Sequence, residues 1–444
     1  MSAEGKFHLE CSECGRTIAG FPDWFRSGQR CPACGSGRAE VRYHQPLSSL
    51  RERISRSAGD TAGLWHYFDF LPVNDRENIV SAGEGIVPID RWEFLERFAR
   101  ERFGLNVKVH AHRQDDNYAT GTFKDLSGSV VASVLKESGI GDYVVASTGN
   151  IAVSYARYLN AAGVSLYAFI PENSSTAQEA EISCFGQRVF RVKGDYSRAK
   201  ELAHAFAEAH GMVLAAGNFD PMRIEAKKTM LFEWLRLLED RPTVYIQALS
   251  GGTGPLAMAK GLSDIAPLHL MNALPRFLLV QSDKCPPMAD AWEQAKAKGF
   301  PEGWEKTYPI YSDPQTIIPT LATGYPKTYP VLSPLVRASG GEIFSFKEEE
   351  TVLMARLVAF ERSVRMGPAA AIVVGGFIKA LRQGYLCDGD VVMLNIGEGI
   401  RRAPRFMERM IRVSGLVRTL DECSLFDRKA YAKEIWDDVE RAEF

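Results

Sequence analysis

Long hydrophobic runs are absent from this 444-residue chain, and that absence excludes a membrane-spanning helix. The most apolar stretch, 368–377, is too short to span a bilayer and contains two glycines. The first residues also lack the basic and apolar pattern of a secretory signal. We therefore predict a cytoplasmic protein without a membrane partner.

An excess of one charge is also absent, because 53 lysines and arginines stand against 55 aspartates and glutamates, a net charge of -2. This balance argues against a broad electrostatic surface for nucleic acid or anionic lipid. The basic residues near the N-terminus are scattered among acids and form no stripe with aromatic residues: Lys6, Arg16, Arg26, Arg30 and Arg38. The length predicts two or three domains with a substantial core.

Four of the eight cysteines form two Cys-x-x-Cys pairs, Cys11 with Cys14 and Cys31 with Cys34, sixteen residues apart. This spacing is typical of zinc ribbons, in which each pair directs two thiolates at one metal ion. Four cysteine ligands leave no open coordination position, so the predicted Zn²⁺ is structural rather than catalytic. The alternative, a pair of disulfides, is disfavoured in a reducing cytoplasm.

Beyond residue 63, short apolar strands alternate with amphipathic helices. Predicted strands cover 107–113, 142–147, 165–170, 188–192, 243–249, 277–282 and 390–396. Predicted helices cover 151–162, 174–185, 196–209, 222–238, 351–362 and 368–381. Apolar strands separated by helices indicate parallel sheets covered on both faces, an α/β fold. In such sheets, ligands bind at the carboxyl ends of the strands.

Three turns follow strands and precede helices, and each offers a different chemical group. Lys124 lies in Ala119-Thr120-Gly121-Thr122-Phe123-Lys124-Asp125, just after a glycine and at the start of a helical pattern. The second turn is Ser147-Thr148-Gly149-Asn150, and the third is Ser250-Gly251-Gly252-Thr253-Gly254. A lone lysine is usually a solvated surface charge. One amine, one amide loop and one glycine-rich anion cradle together point to a phosphorylated aldehyde cofactor.

The glycine turn indicates a single phosphate rather than a nucleotide. Its glycines let the backbone approach an anion, and the helix that follows presents free N–H groups. A nucleotide P-loop requires Lys-Ser/Thr after the glycines, whereas Pro255-Leu256-Ala257 follows here. A dinucleotide fingerprint requires Gly-x-Gly-x-x-Gly early in the sheet. On this motif alone, a tight turn without a ligand is the alternative.

With these motifs the chain resembles threonine synthase and its relatives among the fold-type II pyridoxal phosphate (PLP) enzymes, from Cys11 to about Arg402. Members often begin with a zinc-ribbon-like segment and continue with Trp-x-Tyr-x-x-x-Leu-Pro, which Trp65-His66-Tyr67-Phe68-Asp69-Phe70-Leu71-Pro72 matches. The segment around Lys124 is similar to the family's Pro-Thr-Gly-Ser-Phe-Lys-Asp. Asn218-Phe219-Asp220-Pro221, with Lys227 and Thr229, resembles the family's entry into the helix that follows the small domain.

The resemblance implies a role for each motif. Lys124 is the expected Schiff-base and catalytic residue, whose freed amine removes the substrate's α-proton. The expected cofactor-binding residues are Phe123, Lys124, Asn150, Gly251, Gly252, Thr253, Gly254 and Asn395. The expected substrate-binding residues are Ser147, Thr148, Gly149 and Lys327. PLP and a structural Zn²⁺ are the expected cofactors, with a small amino acid as the substrate.

The resemblance also implies a domain order. We expect a zinc ribbon over 1–45, a linker with the first part of the large domain over 46–125, and a small α/β domain over 126–235. The large PLP-binding domain is expected over 236–404 and a charged helical tail over 405–444. The predicted fold class is α/β, with two parallel-sheet domains after the ribbon. Analogy of fold alone implies a homodimer.

Two departures from the family bear on the expected reaction. The family's Leu-Thr-Gly-His-Gly-Leu-Lys, whose threonine meets the pyridine nitrogen, aligns with Asn395-Ile396-Gly397-Glu398-Gly399-Ile400-Arg401. By that alignment Ile396 replaces the threonine, and isoleucine cannot form its hydrogen bond. In 320–326 an arginine used near the substrate is missing, although Lys327 follows closely.

The expected function is PLP-dependent β- or γ-replacement, or elimination, on an activated amino acid through a Lys124 aldimine, with O-phosphorylated substrates favoured. A diverged β-replacement synthase of the cysteate or cysteine synthase kind is one alternative. A PLP- or amino-acid-binding protein with little turnover is another. Retention of Lys124, Asn150 and the glycine turn argues against the binding protein.

Overall fold

The computed structural model describes residues 5–55, 63–147, 149–172, 174, 176–271, 273–411 and 417–442. Thr148, one of the expected substrate-binding residues, lies outside this part of the chain.

The strands and helices alternate along the chain, as the sequence predicts. The strands are β1 (Phe7–Cys11), β2 (Thr17–Ile18), β3 (Ala39–Tyr43), β4 (Ile89–Arg91), β5 (Lys108–His112), β6 (Asp142–Ala146), β7 (Ser165–Pro171), β8 (Arg188–Val192), β9 (Val213–Leu214), β10 (Val244–Ala248), β11 (Arg276–Ser282), β12 (Glu342–Phe346) and β13 (Val391–Asn395). The helices are α1 (Phe21–Arg26), α2 (Leu47–Ser55), α3 (Glu93–Phe103), α4 (Lys124–Glu137), α5 (Asn150–Ala162), α6 (Thr176–Cys184), α7 (Tyr196–His210), α8 (Pro221–Leu237), α9 (Thr253–Ile265), α10 (Pro287–Ala297), α11 (Tyr329–Ala338), α12 (Thr351–Arg362), α13 (Pro368–Arg382), α14 (Pro404–Glu408) and α15 (Arg428–Arg441).

The N-terminal segment forms a small antiparallel sheet with the strand order β2-β1-β3. Leu9 of β1 pairs with Val41 of β3, and both side chains are buried in one core with Trp24 of α1. Cys11 ends β1, and the second cysteine pair precedes β3. The sheet therefore places the two Cys-x-x-Cys pairs near each other.

Six strands form the larger sheet, in the order β12-β11-β10-β13-β5-β4. Neighbouring strands are parallel except at the edge, where β4 pairs antiparallel with β5. Successive residues of β10 enter different cores: Val244 and Ile246 pack in the core that contains α13, and Tyr245 in the core that contains α8. Burial on both faces explains why these strands are continuous apolar runs.

Four parallel strands form the smaller sheet, in the order β8-β7-β6-β9. Tyr143 and Val145 of β6 belong to the core shared with α4 and α5, while Val144 belongs to a separate core with α7. The two sheets confirm the predicted α/β class with parallel-sheet domains. The domain boundaries given above stay a prediction.

Between 283 and 350 the structure contains elements that the sequence pattern did not predict. Helix α11 contains Pro330 near its start, where proline is tolerated, and Pro334 inside it, where proline usually ends a helix. Strand β12 is short and includes Glu342 and Ser345. The local sequence therefore disfavours both α11 and β12. Tertiary packing stabilises them nonetheless.

Helix α15 lies within the predicted charged tail and packs on the main body through one face. Ile435 and Val439 are buried, and the ring of Trp436 stacks on that of Phe98 with 5.0 Å between centroids. Among the described helices, none is long and apolar enough to cross a membrane.

Close packing of α4 on α5 sets the positions of their first turns. Gly128 of α4 faces α5, and a Cβ here would lie 2.6 Å from Cδ2 of Tyr158 and closer still to Oγ of Ser154. The same Ser154 Oγ donates to the carbonyl oxygen of Lys124 at 2.9 Å. The missing side chain at Gly128 therefore determines how near the two helices approach.

Replacing Gly128 by alanine should lower the free energy of unfolding by about 2 kcal/mol, because overpacking a core typically costs more than alanine gains over glycine in a helix. Urea unfolding measures the change. Gly141→Ala is the control, since a Cβ at Gly141 meets nothing within 4 Å. Equal stability of Gly128→Ala and the wild type would show that the helices separate without penalty.

Candidate active site

The three turns predicted to carry chemistry lie after strands, where α4, α5 and α9 begin. Lys124 is the first residue of α4, Asn150 the first of α5 and Thr253 the first of α9. The side chain of Asn150 crosses to the loop after β13, where its Nδ2 donates to Oε2 of Glu398 at 2.5 Å. Loops from both sheets therefore meet at one place.

The backbone before Lys124 is held by the loop after β13. Phe123 N donates to Gly397 O at 3.2 Å. Gly121 has a φ of +72°, and a Cβ there would lie 3.1 Å from Cζ of Arg401. Both the positive φ and the close guanidinium favour glycine. The turn that presents Lys124 thus depends on a segment distant in the sequence.

The amine of Lys124 is densely surrounded, although the residue as a whole is half-buried. Its Nζ lies 4.0 Å from the ring centroid of Phe123. Burial lowers the pKa of Lys124 to about 7, the nearby Arg223 lowers it too, and Glu398 acts in the opposite sense. The amine is therefore partly deprotonated at neutral pH, and the neutral form is the one that attacks an aldehyde.

Three charged residues beside Lys124 were not identified as site residues from the sequence. Arg223 and Lys227 come from α8, and Glu398 follows β13. Lys227 is fully buried, and its Nζ donates to Oγ of Ser127 at 2.5 Å. Burial, with the like charges of Arg223 and Lys124, lowers the pKa of Lys227 well below its usual range. Burial raises the pKa of Glu398.

In the sequence, these residues could be found only through the segments that resemble the family. Arg223 and Lys227 lie in or next to the stretch that resembles the family's helix entry, and Glu398 lies in the aligned stretch after β13. Nothing in local sequence indicates that either segment approaches Lys124.

Arg223 has an N–H group that could donate a hydrogen bond to a ligand. Its Nη1 donates to Gly217 O at 2.6 Å, whereas its Nε is buried without a hydrogen-bond partner among the described residues. A guanidinium carries five donors in a rigid fork and stays protonated. An anion beside Lys124 would pair with this charge.

The asparagine turn is closed by its own side chains and packed against α6. Gly149 N donates to Oγ of Ser147 at 3.0 Å. A Cβ at Gly149 would lie 3.0 Å from Cδ of Gln178, so the turn has room only for glycine. The Oδ1 atom of Asn150 is buried and has no hydrogen-bond partner in the described part of the chain.

The glycine turn packs against side chains that leave room for backbone alone. Gly252 has a φ of +79°, and a Cβ there would lie 2.8 Å from Cδ2 of Leu332. A Cβ at Gly251 would overlap the side-chain amide of Asn218. Thr253 Oγ1 donates to Oδ1 of Asn218 at 3.0 Å. Because α9 begins here, its free N–H groups and its dipole favour an anion at the turn.

The end of β13 carries an amide next to an aliphatic residue. Ile396 is fully buried, and Asn395 is nearly so. A Cβ at Gly397 would lie 3.1 Å from Cδ1 of Phe123 and 3.7 Å from Nδ2 of Asn395. Oδ1 of Asn395 has no hydrogen-bond partner among the described residues. Asn395 thus offers a hydrogen-bonding group close to Phe123, where Ile396 offers none.

Lys327 lies on the surface beside a cavity. Its Nζ is 5.5 Å from the ring centroid of Tyr325. Tyr325 and Lys200 line a cavity of about 250 Å³ between the start of α7 and the segment 310–325. Burial, followed by the like charge of Lys327, lowers the pKa of Lys200. A substrate contact of Lys327 stays a prediction.

These turns fit a phosphorylated aldehyde cofactor. The glycine turn presents backbone N–H groups at the start of α9 that would bind a phosphate, and Lys124 supplies an amine that is partly neutral. Buried polar atoms are almost always hydrogen-bonded, yet Oδ1 of Asn150 and Oδ1 of Asn395 have no partner among the described residues. Polar groups of a bound ring would pair with them.

The four ribbon cysteines form a compact sulfur cluster. All four sulfur atoms lie within 4.8 Å of one another, and the Sγ atoms of Cys11 and Cys34 are 3.6 Å apart, as are those of Cys14 and Cys31. Four thiolates around a tetrahedral Zn²⁺ are separated by about 3.8 Å, whereas a disulfide bond is about 2 Å long. The cluster fits one zinc ion and not a pair of disulfides.

The purified protein should contain about one zinc ion per chain, held by all four thiolates. Cys31→Ser should lose most of the metal, because the remaining thiolates no longer complete the tetrahedron. Cys423→Ser is the matched control, since Cys423 is exposed and lies outside the cluster. Elemental analysis measures the content, and equal zinc in both variants would exclude the proposed ligand set.

Comparison with known proteins supports the same assignment. The sequence pattern of the family described as pyridoxal-phosphate dependent enzyme matches residues 80–397. The threonine synthase of Methanocaldococcus jannaschii is 26% identical over 429 residues, which cover 92% of this chain and 100% of that protein. The cysteate synthase of Methanothrix thermoacetophila is 24% identical over 408 residues, which cover 90% of this chain and 92% of that protein.

A solved structure has the same fold. The holo diaminopropionate ammonia lyase of Escherichia coli matches with a TM-score of 0.60 at 15% identity, over 80% of this chain and 94% of that chain. At this identity the likeness concerns the fold alone. The family pattern, by contrast, spans well over half of the sequence. The chain therefore belongs to the pyridoxal-phosphate-dependent enzyme family.

Proposed function

We propose that the chain catalyses β- or γ-replacement, or elimination, on an activated amino acid, with a phosphate ester as the favoured substrate and phosphate as the leaving group. One observation carries the proposal: burial makes the amine of Lys124 partly neutral, and the guanidinium of Arg223 is near enough for its charge to lower the pKa of that amine further. An amine for an aldehyde and a cation for an anionic leaving group thus act in the same site. The similarity to threonine and cysteate synthases supports the same reaction class.

The proposed cofactor contacts follow from the three turns. Gly251, Gly252, Thr253 and Gly254 would receive the phosphate, and Phe123, Asn150 and Asn395 would surround the ring. When bound, PLP supplies an aldehyde carbon and a conjugated ring that withdraws electrons from the substrate's α-carbon. Binding, orientation and proton transfer fall to the side chains of this chain.

Lys124 is the residue that we assign to proton transfer at the α-carbon. A base acts best when its pKa is near the working pH, and burial brings the pKa of Lys124 to about 7. The same burial excludes water, which suppresses competing hydrolysis. Burial raises the pKa of Glu398, while its hydrogen bond with Asn150 and the charge of Arg402 act in the opposite sense.

Separate groups would recognise the two charges of the substrate. Ser147, Thr148 and Gly149 are our candidates for the substrate carboxylate, because they precede α5 in the sequence and the start of this helix favours an anion. Arg223 is our candidate for the phosphate, because a guanidinium binds phosphate through two parallel hydrogen bonds. Lys327 would attract an anion at the cavity mouth.

The buried Ile396 favours O-phosphoserine as a second candidate substrate, in a β-replacement like that of a cysteate synthase. With isoleucine at this strand end, Asn395 is the side-chain partner that we assign to the pyridine nitrogen. An amide in place of a hydroxyl would alter how strongly the ring withdraws electrons, and we propose that it weakens the electron sink. β-Replacement requires loss of the α-proton alone, whereas γ-replacement also requires loss of a β-proton, so a weaker sink favours the β-reaction.

The partner expected from these features is a small amino acid. The balanced net charge of -2 supports no proposal for nucleic acid or a membrane surface. A homodimer stays an expectation from fold analogy.

Cofactor uptake should follow the protonation of Lys124. The visible absorbance of bound PLP should weaken as the pH falls below about 7, because the protonated amine cannot attack an aldehyde. Arg223→Met should move this midpoint to higher pH, since removing a neighbouring positive charge raises the pKa of the amine. Spectrophotometric pH titration measures both effects.

The controls separate Lys124 from the other lysines. Lys124→Ala should lack the absorbance at every pH. Arg198→Met removes an exposed arginine that pairs with Glu201, so it should leave the midpoint unchanged. An identical midpoint in Arg223→Met and Arg198→Met would contradict the assigned electrostatic effect.

Phosphate release should identify the substrate. The PLP-loaded protein should release phosphate from O-phosphohomoserine or O-phosphoserine, as measured by a colorimetric phosphate assay. Arg223→Met should lower kcat/KM about tenfold to a hundredfold, because a charge-assisted hydrogen bond contributes about 1.5–3 kcal/mol. Lys124→Ala should be inactive and Arg198→Met fully active. If neither ester releases phosphate, both candidate substrates are excluded.

A further inference from the structure

The N-terminal ribbon contacts the main body at three points of one stretch, 214–225. At the first point, Gln29 Nε2 donates to Leu214 O at 2.6 Å. Leu214 ends β9, the edge strand of the smaller sheet. The contact ties the ribbon to the place where the chain leaves that sheet.

The second point lies five residues after the first along this stretch. The guanidinium carbon of Arg38 is 5.2 Å from the ring centroid of Phe219, a favourable distance for a cation over an aromatic face. Arg38 Nη1 also donates to Oε1 of Glu13 at 2.8 Å, so the guanidinium contacts both Phe219 and Glu13.

The third point is a hydrogen bond into a buried cluster of charges. Tyr43 OH donates to Oε2 of Glu225 at 2.7 Å. Glu225 also pairs with Lys228 and Lys260, and the Nζ of Lys228 lies 2.6 Å from Oδ2 of Asp264. Because a buried charge without its partner is strongly unfavourable, this network holds α8 and the ribbon in one arrangement.

Two residues between these points face the candidate active site. Asn218 accepts from Thr253 Oγ1 at 3.0 Å and packs against the backbone of Gly251. Arg223 donates a hydrogen bond from Nη1 to Gly217 O within the same stretch, and its charge lowers the pKa of Lys124. A displacement of the stretch would move both residues.

The ribbon side of these contacts borders the cysteine cluster. Gln29 and Arg38 lie on either side of the pair formed by Cys31 and Cys34. Within the loop, Cys31 N donates to Ser36 O at 2.8 Å. A zinc ion on four thiolates would fix both flanks of this loop relative to β1.

We propose that the ribbon is a positioning module for the active site. Gln29, Arg38 and Tyr43 hold 214–225 so that Asn218 supports the glycine turn and Arg223 lies beside Lys124. The zinc ion fixes the ribbon surface that makes these contacts. The catalytic consequence rests on the proposed function, whereas the coupling of metal to 214–225 does not.

Hydrogen exchange on the full-length chain tests the coupling without reference to activity. Amides of 214–225 should exchange about fivefold to tenfold faster after zinc is removed with a chelator, because local opening becomes easier. Gln29→Glu and Tyr43→Phe should give the same increase with zinc still bound. Amides of β13, which is central in the larger sheet, serve as the internal reference.

Arg26→Ala is the matched control for the variants. Arg26 is exposed on α1 and pairs with Asp23 of the same helix, so its loss should leave exchange in 214–225 unchanged. Unchanged exchange after chelation and in both contact variants would overturn the proposal. Faster exchange confined to the ribbon itself would overturn it as well.

A functional measurement distinguishes positioning from general stability. Gln29→Glu and Tyr43→Phe should weaken PLP binding, measured by absorbance titration, about threefold to tenfold, because Asn218 supports the glycine turn. For a phosphate ester that is turned over, KM should rise more than kcat falls. Equal PLP affinity in these variants and Arg26→Ala would overturn the positioning role. If no ester is turned over, the proposed function fails, while hydrogen exchange and PLP titration still decide the positioning role.

Discussion

A lysine amine kept partly neutral inside the protein is the constraint on which the rest of this structure depends. Removing an ammonium group from water is unfavourable, so burial shifts Lys124 toward its neutral form. The ring of Phe123 packs against the amine, and the close approach of α4 and α5 at Gly128 positions the turn that carries it. The positive charge of Arg223 lowers the pKa of the amine further, while Glu398 raises it. Packing and the charge of Arg223 therefore act on the amine in the same direction.

The charges around Lys124 also suit an anionic substrate. Arg223 contributes a guanidinium, while burial raises the pKa of Glu398 and lowers that of Lys227. The lowered pKa of Lys227 therefore keeps the positive charge of the site small. An entering phosphate would favour the protonated form of Lys227, because an opposite charge raises the pKa of an amine. A site of this kind adjusts its charge to the ligand instead of holding three repelling cations.

Local chemistry explains which parts were predictable from the sequence. Glycines with positive φ, such as Gly121 and Gly252, and the spacing of the cysteine pairs leave clear signals, so the turns and the ribbon were predicted with the α/β class. Arg223 and Glu398 leave none, because their role arises from tertiary contacts with Lys124. Helix α11 was missed because its prolines contradict its final structure. Thr148 lies outside the described residues, and the roles of the remaining site residues stay predictions.

The departures at the end of β13 act together on the same edge of the site. Ile396 takes the place of a hydroxyl, and two residues later Glu398 takes the place of a histidine in the family stretch. Glu398 accepts a hydrogen bond from Nδ2 of Asn150, one of the expected cofactor-binding residues. With PLP bound as proposed, Asn395 would stand in for the hydroxyl at the pyridine nitrogen, and Glu398 would place a carboxyl beside Asn150. Both changes would alter the electron demand of the ring, whereas Lys124 and the glycine turn are retained. In the proposed function, these departures therefore bear on the reaction that follows loss of the α-proton more than on cofactor attachment.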